Sequence, residues 1–336
     1  MQQYNWSQTM RRKRFWPRLL PVLFGLTALV AFLQAILYGP VFFPLKKVLY
    51  ILLYPETDMA SQIILNVRLP RAITGAMVGA DLSLSGLILQ AVLRNPLADP
   101  HLIGVSAGAG IVGMIVLIFV PQCIRLLPPL AFIGAIGTAV LIYVLAWKDG
   151  MRPVRIILAG VAVSAFLGAC ISGLLIFYSD RVHGALMWLI GGLGNAGWND
   201  VTLLYPYTVA GIILTFAGSY YLNMLRLGDD MARGLGVAVE RTRLLLLAVA
   251  ALLAAGAVSV GGLIGFVGLV VPHIVKLLIG EDYRFVVPAS VFLGSAVMLF
   301  SDTVARLLFA PVELPVGLIM ALLGAPFFLF LLRKEV

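Results

Sequence analysis

The sequence predicts an all-α, polytopic membrane protein of ten transmembrane helices, folded as a single domain over residues 1–336. Three observations predict it. Residues of the set AVILMFWYC make up 61% of the chain and charged residues only 12%, against about 25% charged in soluble domains, so a water-soluble surface cannot be built. A crossing helix takes about 20 residues, so 336 residues with short connections hold about ten. Lysine and arginine, finally, alternate in density from loop to loop. These features exclude a soluble enzyme. The 34 glycines and 18 prolines follow no triplet repeat, which excludes a fibrous chain.

The elements follow in order. Arg11, Arg12, Lys13, Arg14 and Arg18 precede an apolar stretch over 19–38. Such a start could imitate a signal peptide, but the stretch is long enough to cross and reads as an uncleaved first span. Further spans are predicted at 72–93, 104–120, 130–147, 154–178, 202–222, 244–262, 264–279, 286–309 and 315–332. Gly261 and Gly262 are the only break between the seventh and eighth, and one long helix there would reverse everything after it. Placing the N-terminus inside puts seventeen Lys and Arg residues on the inner side and seven on the outer. This matches the positive-inside rule, with both termini cytoplasmic. The net charge of +9 is therefore mainly a topology signal and predicts no nucleic-acid partner.

Small residues recur within spans: Gly75, Gly79 and Gly86 in the second, Gly104, Gly108, Gly110 and Gly113 in the third. In lipid no hydrophobic effect drives helices together, so close backbone approach at small residues takes its place. That pattern favours a transporter or channel over a simple anchor.

Catalytic signals are absent from the sequence. None of the six lysines follows a glycine, so no G-x-x-x-x-G-K-[ST] phosphate loop exists. There is no H-E-x-x-H and no nucleophile elbow. His101, His183 and His273 are far apart and read as packing residues, as do Cys123 and Cys170, and no metal or cofactor site is predicted. Two acids fall well inside spans, Asp81 and Asp302. Asp302 stands four residues before Arg306, a spacing that pairs them on one helix face. Asp81 has no evident partner and leaves open an ion-coupled secondary transporter. A passive channel is a further alternative.

Three stretches are more than apolar filler. Arg68-Leu-Pro-Arg71 leads into the second span, followed by Asn95-Pro-Leu-Ala-Asp-Pro100, whose prolines force a non-helical return, and Gly104-Val-Ser-Ala-Gly-Ala-Gly110. Residues 225–243 form the longest inner connection. There Asp229, Asp230, Met231, Ala232 and Arg233 start a short helix that Gly234 and Gly236 end, and a short helix projecting from a membrane domain suits a soluble partner. Gly262 to His273 and Glu313 to Gly317 combine glycines with Pro272 and Pro315, marking bent or closely packed helices.

With Ala232-Arg-Gly-Leu-Gly236, Gly265-Phe-Val-Gly-Leu-Val-Val-Pro-His273, Glu313-Leu-Pro-Val-Gly317 and Gly324-Ala-Pro326, these ordered motifs resemble the FecCD family from about Arg68 to Arg333. These are permease subunits of bacterial ABC importers for ferric siderophores, haem and cobalamin. The first 60 or so residues match only as one basic-flanked span.

The resemblance implies ten spans with an inverted repeat of helices 2–5 and 7–10, and a homodimer in the cytoplasmic (inner) membrane with the pathway at its interface. It also implies two copies of a separate ATPase subunit inside, which binds the ATP and Mg, and a substrate-binding protein outside. Arg68, Arg71 and Arg306 match outward arginines that pair with the binding protein's glutamates, a task suited to the bidentate guanidinium fork. Leu227, Gly228, Asp229, Asp230, Ala232, Arg233, Gly234, Leu235 and Gly236 match the segment coupled to the ATPase. Arg152, Arg155, Ser164, Gly168 and Ser172 match the fifth span and its inner gate, although tight packing accounts equally well for the small residues there. The cargo is not legible from these residues.

Overall fold

The computed structural model describes residues 6–100, 104–147, 153–179 and 182–335, and every described element is helical. In chain order these are α1 (Trp6–Leu37), α2 (Leu45–Leu53), α3 (Met59–Gln62), α4 (Leu69–Val92), α5 (Val105–Phe119), α6 (Leu127–Ala146), α7 (Pro153–Phe177) and α8 (Val182–Ile190). They continue as α9 (Trp198–Ala217), α10 (Ser219–Arg226), α11 (Asp229–Gly234), α12 (Val239–Gly261), α13 (Val267–Ile279), α14 (Tyr283–Leu307) and α15 (Val316–Glu335). A wider π-helical turn, Ile63–Arg68, joins α3 to α4.

Among the described residues, seven helices are long and apolar enough to cross a membrane. Shorter apolar helices over Val105–Phe119, Val267–Ile279 and Val316–Leu329 occupy the positions predicted as the third, eighth and tenth spans. The break between α12 and α13 is real. Gly262 has φ +71 and Phe266 φ +68, left-handed conformations that end one helix and begin the next. A Cβ on Gly262 would lie 2.2 Å from the Trp188 carbonyl oxygen, so only glycine fits that turn. The predicted sixth span is corrected: it stops at Ala217, and α10 starts anew after Gly218. The sequence reading also missed α2, α3 and α8, which are too short to register as spans.

The centre of the bundle is α4, buried almost end to end. Glycines permit its close contacts. A Cβ on Gly79 would lie 2.3 Å from the Gly294 carbonyl oxygen, and one on Gly86 would lie 1.9 Å from that of Gly268. Buried hydroxyls and an amide then bridge the backbones. Ser83 Oγ donates to the Ser290 carbonyl of α14 at 2.9 Å, Ser85 Oγ to the Ala250 carbonyl of α12 at 2.7 Å, and Gln90 Nε2 to the Gly268 carbonyl of α13 at 3.1 Å. Close approach and interhelical hydrogen bonds are what hold helices together in lipid.

Helices α4–α7 and α12–α15 share a further regularity. The second helix of each set is short, α5 with 15 residues and α13 with 13, and each starts directly after a left-handed residue, Gly104 or Phe266.

Candidate functional site

Three features of the bundle carry the chemistry. Two lie at opposite ends of α4, whose 24 residues span about 36 Å at 1.5 Å per residue.

At the α4 N-terminus, Arg68, Arg71 and Arg306 are only 5%, 6% and 4% exposed. The three arginines matched to outward positions are thus enclosed by the chain's own groups. Arg71 donates through Nε and Nη2 to Asp302, at 2.9 Å for the closest pair, and through Nη1 to Glu313 Oε2 at 2.7 Å. Arg306 Nε lies 3.1 Å from Asp302 Oδ2, forming the i,i+4 pair expected from the spacing, and Nη2 donates to the Ala35 carbonyl at 3.1 Å. Among the described residues, Arg68 pairs with no carboxylate. It donates to the carbonyls of Ile36, Leu37 and Val41, where the negative end of the α1 dipole lies. Gly39 makes room for it, since a Cβ there would lie 2.5 Å from Arg68 Nη2.

The physical reason for the burial is mutual satisfaction, because charges taken out of water persist only when paired and hydrogen-bonded. Glu313, with a 39% exposed side chain, is the solvent-facing member of the network. Sequence reading missed it as a partner because 242 positions separate it from Arg71.

At the opposite end, residues 227–236 form α11 and its flanks. Gly228 (φ +114) and Gly236 (φ +84) supply the left-handed turns that isolate the six-residue helix. Leu227, Met231 and Leu235 are 50%, 61% and 55% exposed, an apolar face with Arg233 beside it. Ala232 is fully buried and Asp229 turns inward, so these two anchor the helix while Asp230 faces out. Asp229 Oδ1 accepts from Arg94 Nη2 and, at 2.8 Å, from Arg243 Nη2. Nearby, Asn223 Nδ2 donates to Asp282 Oδ1 at 3.1 Å, and Arg226 pairs with Glu281. Hydrogen bonding from Arg284 and Asn223 holds the Asp282 carboxyl below the ordinary carboxylate range.

The third feature is the region expected to form a pathway. Arg152 lies outside the described residues, and Arg155 is half-buried on the first turn of α7. Ser164 points inward, its Oγ 3.3 Å from where a Cβ on Gly104 would sit, so it lines the contact with α5 rather than an open face. Gly168 has nothing within 4 Å of a Cβ position, and Ser172 is exposed. Close packing within this chain therefore does not account for Gly168. The same helix exposes Val154, Leu158, Phe166, Ile176 and Phe177.

Elsewhere, a cleft of about 510 Å³ is lined by Leu97 and Asp99 before α5, Leu263, Gly265 and Phe266 before α13, and Leu318 and Ala321 of α15. Its rim is stitched by backbone bonds through glycines, Gly192 N to the Gly261 carbonyl at 2.9 Å and Gly317 N to that of Gly191 at 3.0 Å. The Gly262–His273 and Glu313–Gly317 stretches are thus neighbours in space.

Asp81 is fully buried on α4. Its Oδ2 accepts a 2.7 Å bond from Thr208 Oγ1 of α9, a partner that no sequence spacing announces.

Comparison with known proteins agrees with this architecture. The chain matches the FecCD transport family over residues 26–334, beginning inside α1 and so well before the Arg68 start read from motifs. It is 45% identical over 283 residues to the cobalamin import system permease protein BtuC of Halobacterium salinarum, covering 84% of this chain and 75% of that one. It is 37% identical to the iron(3+)-hydroxamate import system permease protein FhuG of Bacillus subtilis, covering 97% and 99%. With the hemin transport system permease protein HmuU of Yersinia pestis it shares 40% identity, covering 83% and 85%. A solved ABC transporter structure described as metal-chelate type and inward-facing superposes with a TM-score of 0.84 at 29% identity, covering 95% of this chain and 99% of that one. The chain therefore belongs to the FecCD transport family, as a membrane-embedded permease of the ABC-importer type.

Proposed function

We propose that this permease works as a homodimer of ten-span subunits in the cytoplasmic membrane and passes an iron chelate, haem or a cobalamin-like ligand along the subunit interface. Both termini and α11 lie on the cytoplasmic side, in line with the distribution of lysine and arginine. Two copies of a separate ATPase subunit seat on the two α11 helices and bind the ATP and Mg. This chain carries no cofactor of its own. A substrate-binding protein docks at the opposite end, around Glu313 and the three arginines. Because those arginines are buried, its carboxylates reach Arg71 by competing with Glu313, the network's solvent-facing acid.

One observation carries the reading. A six-residue helix is too short to be stable alone, yet α11 is anchored through Asp229 and Ala232 and presents Leu227, Met231 and Leu235 outward. An anchored helix with an unpartnered apolar face fits a soluble subunit. The exposed apolar side of α7 and the open space at Gly168 likewise suit a second copy and a pathway beside it. Replacing Met231 with Glu and co-purifying the complex tests the seat. Loss of the ATPase from an otherwise folded permease is expected, and undiminished retention would remove α11 from that interface.

A further inference from the structure

We propose that Asp229 is the positioning residue that transmits movement of α11 into the bundle, by tying this helix to α4 and α12 at once; this rests on the reading of α11 as the ATPase seat. Arg94 stands just beyond α4 with φ +49, a left-handed conformation uncommon for a residue with a side chain. The turn aims its guanidinium at the α11 segment, where Nε donates to the Leu225 carbonyl at 3.2 Å and Nη2 pairs with Asp229. Arg243 reaches the same Asp229 Oδ1 from the first turns of α12, at 2.8 Å and with its own side chain 1% exposed. One carboxylate thus joins cations from two transmembrane helices.

Those helices form a unit of their own. The Ser85 hydroxyl of α4 holds the Ala250 carbonyl of α12 in a buried 2.7 Å bond, and a Cβ on Gly261 would touch Val78 at 3.4 Å. A second ionic link from α11 to α12, Arg233 to Glu240 at 3.3 Å, is exposed on both sides and screened by water. Asn223 to Asp282 and Arg226 to Glu281 lead instead from α10 to the entry of α14. Displacement of α11 therefore reaches α12 through the buried Arg243 side of the Asp229 cluster, and α4 through its more exposed Arg94 side. These are the first helices of the two halves of the bundle, and α4 contacts α12, α13 and α14. Movement entering there spreads to both halves.

The test uses the complete transporter in proteoliposomes, with ATPase and binding protein, and ferric hydroxamate, haem and cobalamin as cargo probes. Asp229→Asn keeps the side-chain volume and removes the charge. Cargo moved per ATP hydrolysed should fall about fivefold, the scale of a mid-range coupling loss, and Asp229→Glu should restore it. An unchanged ratio, or uptake and hydrolysis falling in parallel, would overturn the proposal. Should Asp229→Asn fail to fold, Arg94→Gln decides, because it leaves Arg243 paired: a lowered ratio supports the proposal and an unchanged one sinks it. Failure of the underlying reading looks different. It appears as an ATPase that stays bound when Met231 becomes Glu, whereas failure of this proposal alone leaves that release intact and the Asp229→Asn ratio unaltered.

Discussion

Arg71 and Asp302 stand 231 positions apart in sequence and meet in a two-pronged ion pair, 2.9 Å at its closest, with both side chains buried. The contact fixes the entry of α4 against the C-terminal part of α14. Asp302 also serves Arg306, so a single acid neutralises two cations. Asp302→Asn should therefore destabilise the permease by about 3–5 kcal/mol, the scale for orphaning a buried charge. Glu313→Gln, which removes a half-exposed acid, should cost at most about 1 kcal/mol. Thermal unfolding in detergent compares them, and equal shifts would contradict the arrangement.

Glu313→Gln has a second expected effect. If the binding protein's carboxylates compete with Glu313 for Arg71, removing that charge should tighten docking, and Arg71→Glu should weaken it. Both effects should shrink with added salt. Binding to permease in nanodiscs reads this directly, and affinity indifferent to both substitutions would exclude the network from docking.

Gly86 and Gly137 make a matched test of packing. Alanine at Gly86 would drive its Cβ to 1.9 Å from the Gly268 carbonyl oxygen, separating α4 from α13, and folded yield should collapse. Alanine at Gly137 on α6 meets nothing within 4 Å and should stabilise the helix by up to about 1 kcal/mol. Detergent-solubilised yield and thermal midpoint distinguish the two.

Asp282 caps α14 and accepts from Arg284 N, Arg284 Nε and Asn223 Nδ2. Its folded-state pKa lies below the ordinary 3.8. Its charge thus contributes stability that is complete above about pH 4 and disappears as pH falls through the lower folded-state value. Asp282→Asn retains a capping side chain but loses that dependence. The stability gap between the natural protein and the variant should hold at neutral pH and narrow as pH falls below about 4, and a gap that stays constant there would contradict the assignment.

Much of this was legible in the sequence, and the limits have physical causes. Apolar length places the main helices because a bilayer imposes it. The Asp229–Arg233 helix was legible from its flanking glycines, and the Asp302–Arg306 pair from its i,i+4 spacing. What stayed hidden is contact between distant segments. Nothing local announces that Arg71 finds Glu313, that Thr208 holds Asp81, or that Arg94 and Arg243 share Asp229. For the same reason nothing announces that Arg68 rests against the carbonyls of Ile36, Leu37 and Val41.

The central claim is that import is energised by an ATPase seated on α11 and not by an ion gradient acting through Asp81. Uptake of ferric hydroxamate, haem or cobalamin into proteoliposomes carrying the complete transporter tests it most directly. The account predicts uptake that requires ATP, survives a protonophore, persists in Asp81→Asn and stops in Met231→Glu. Uptake that continues without ATP and collapses with the ion gradient or in Asp81→Asn would contradict it.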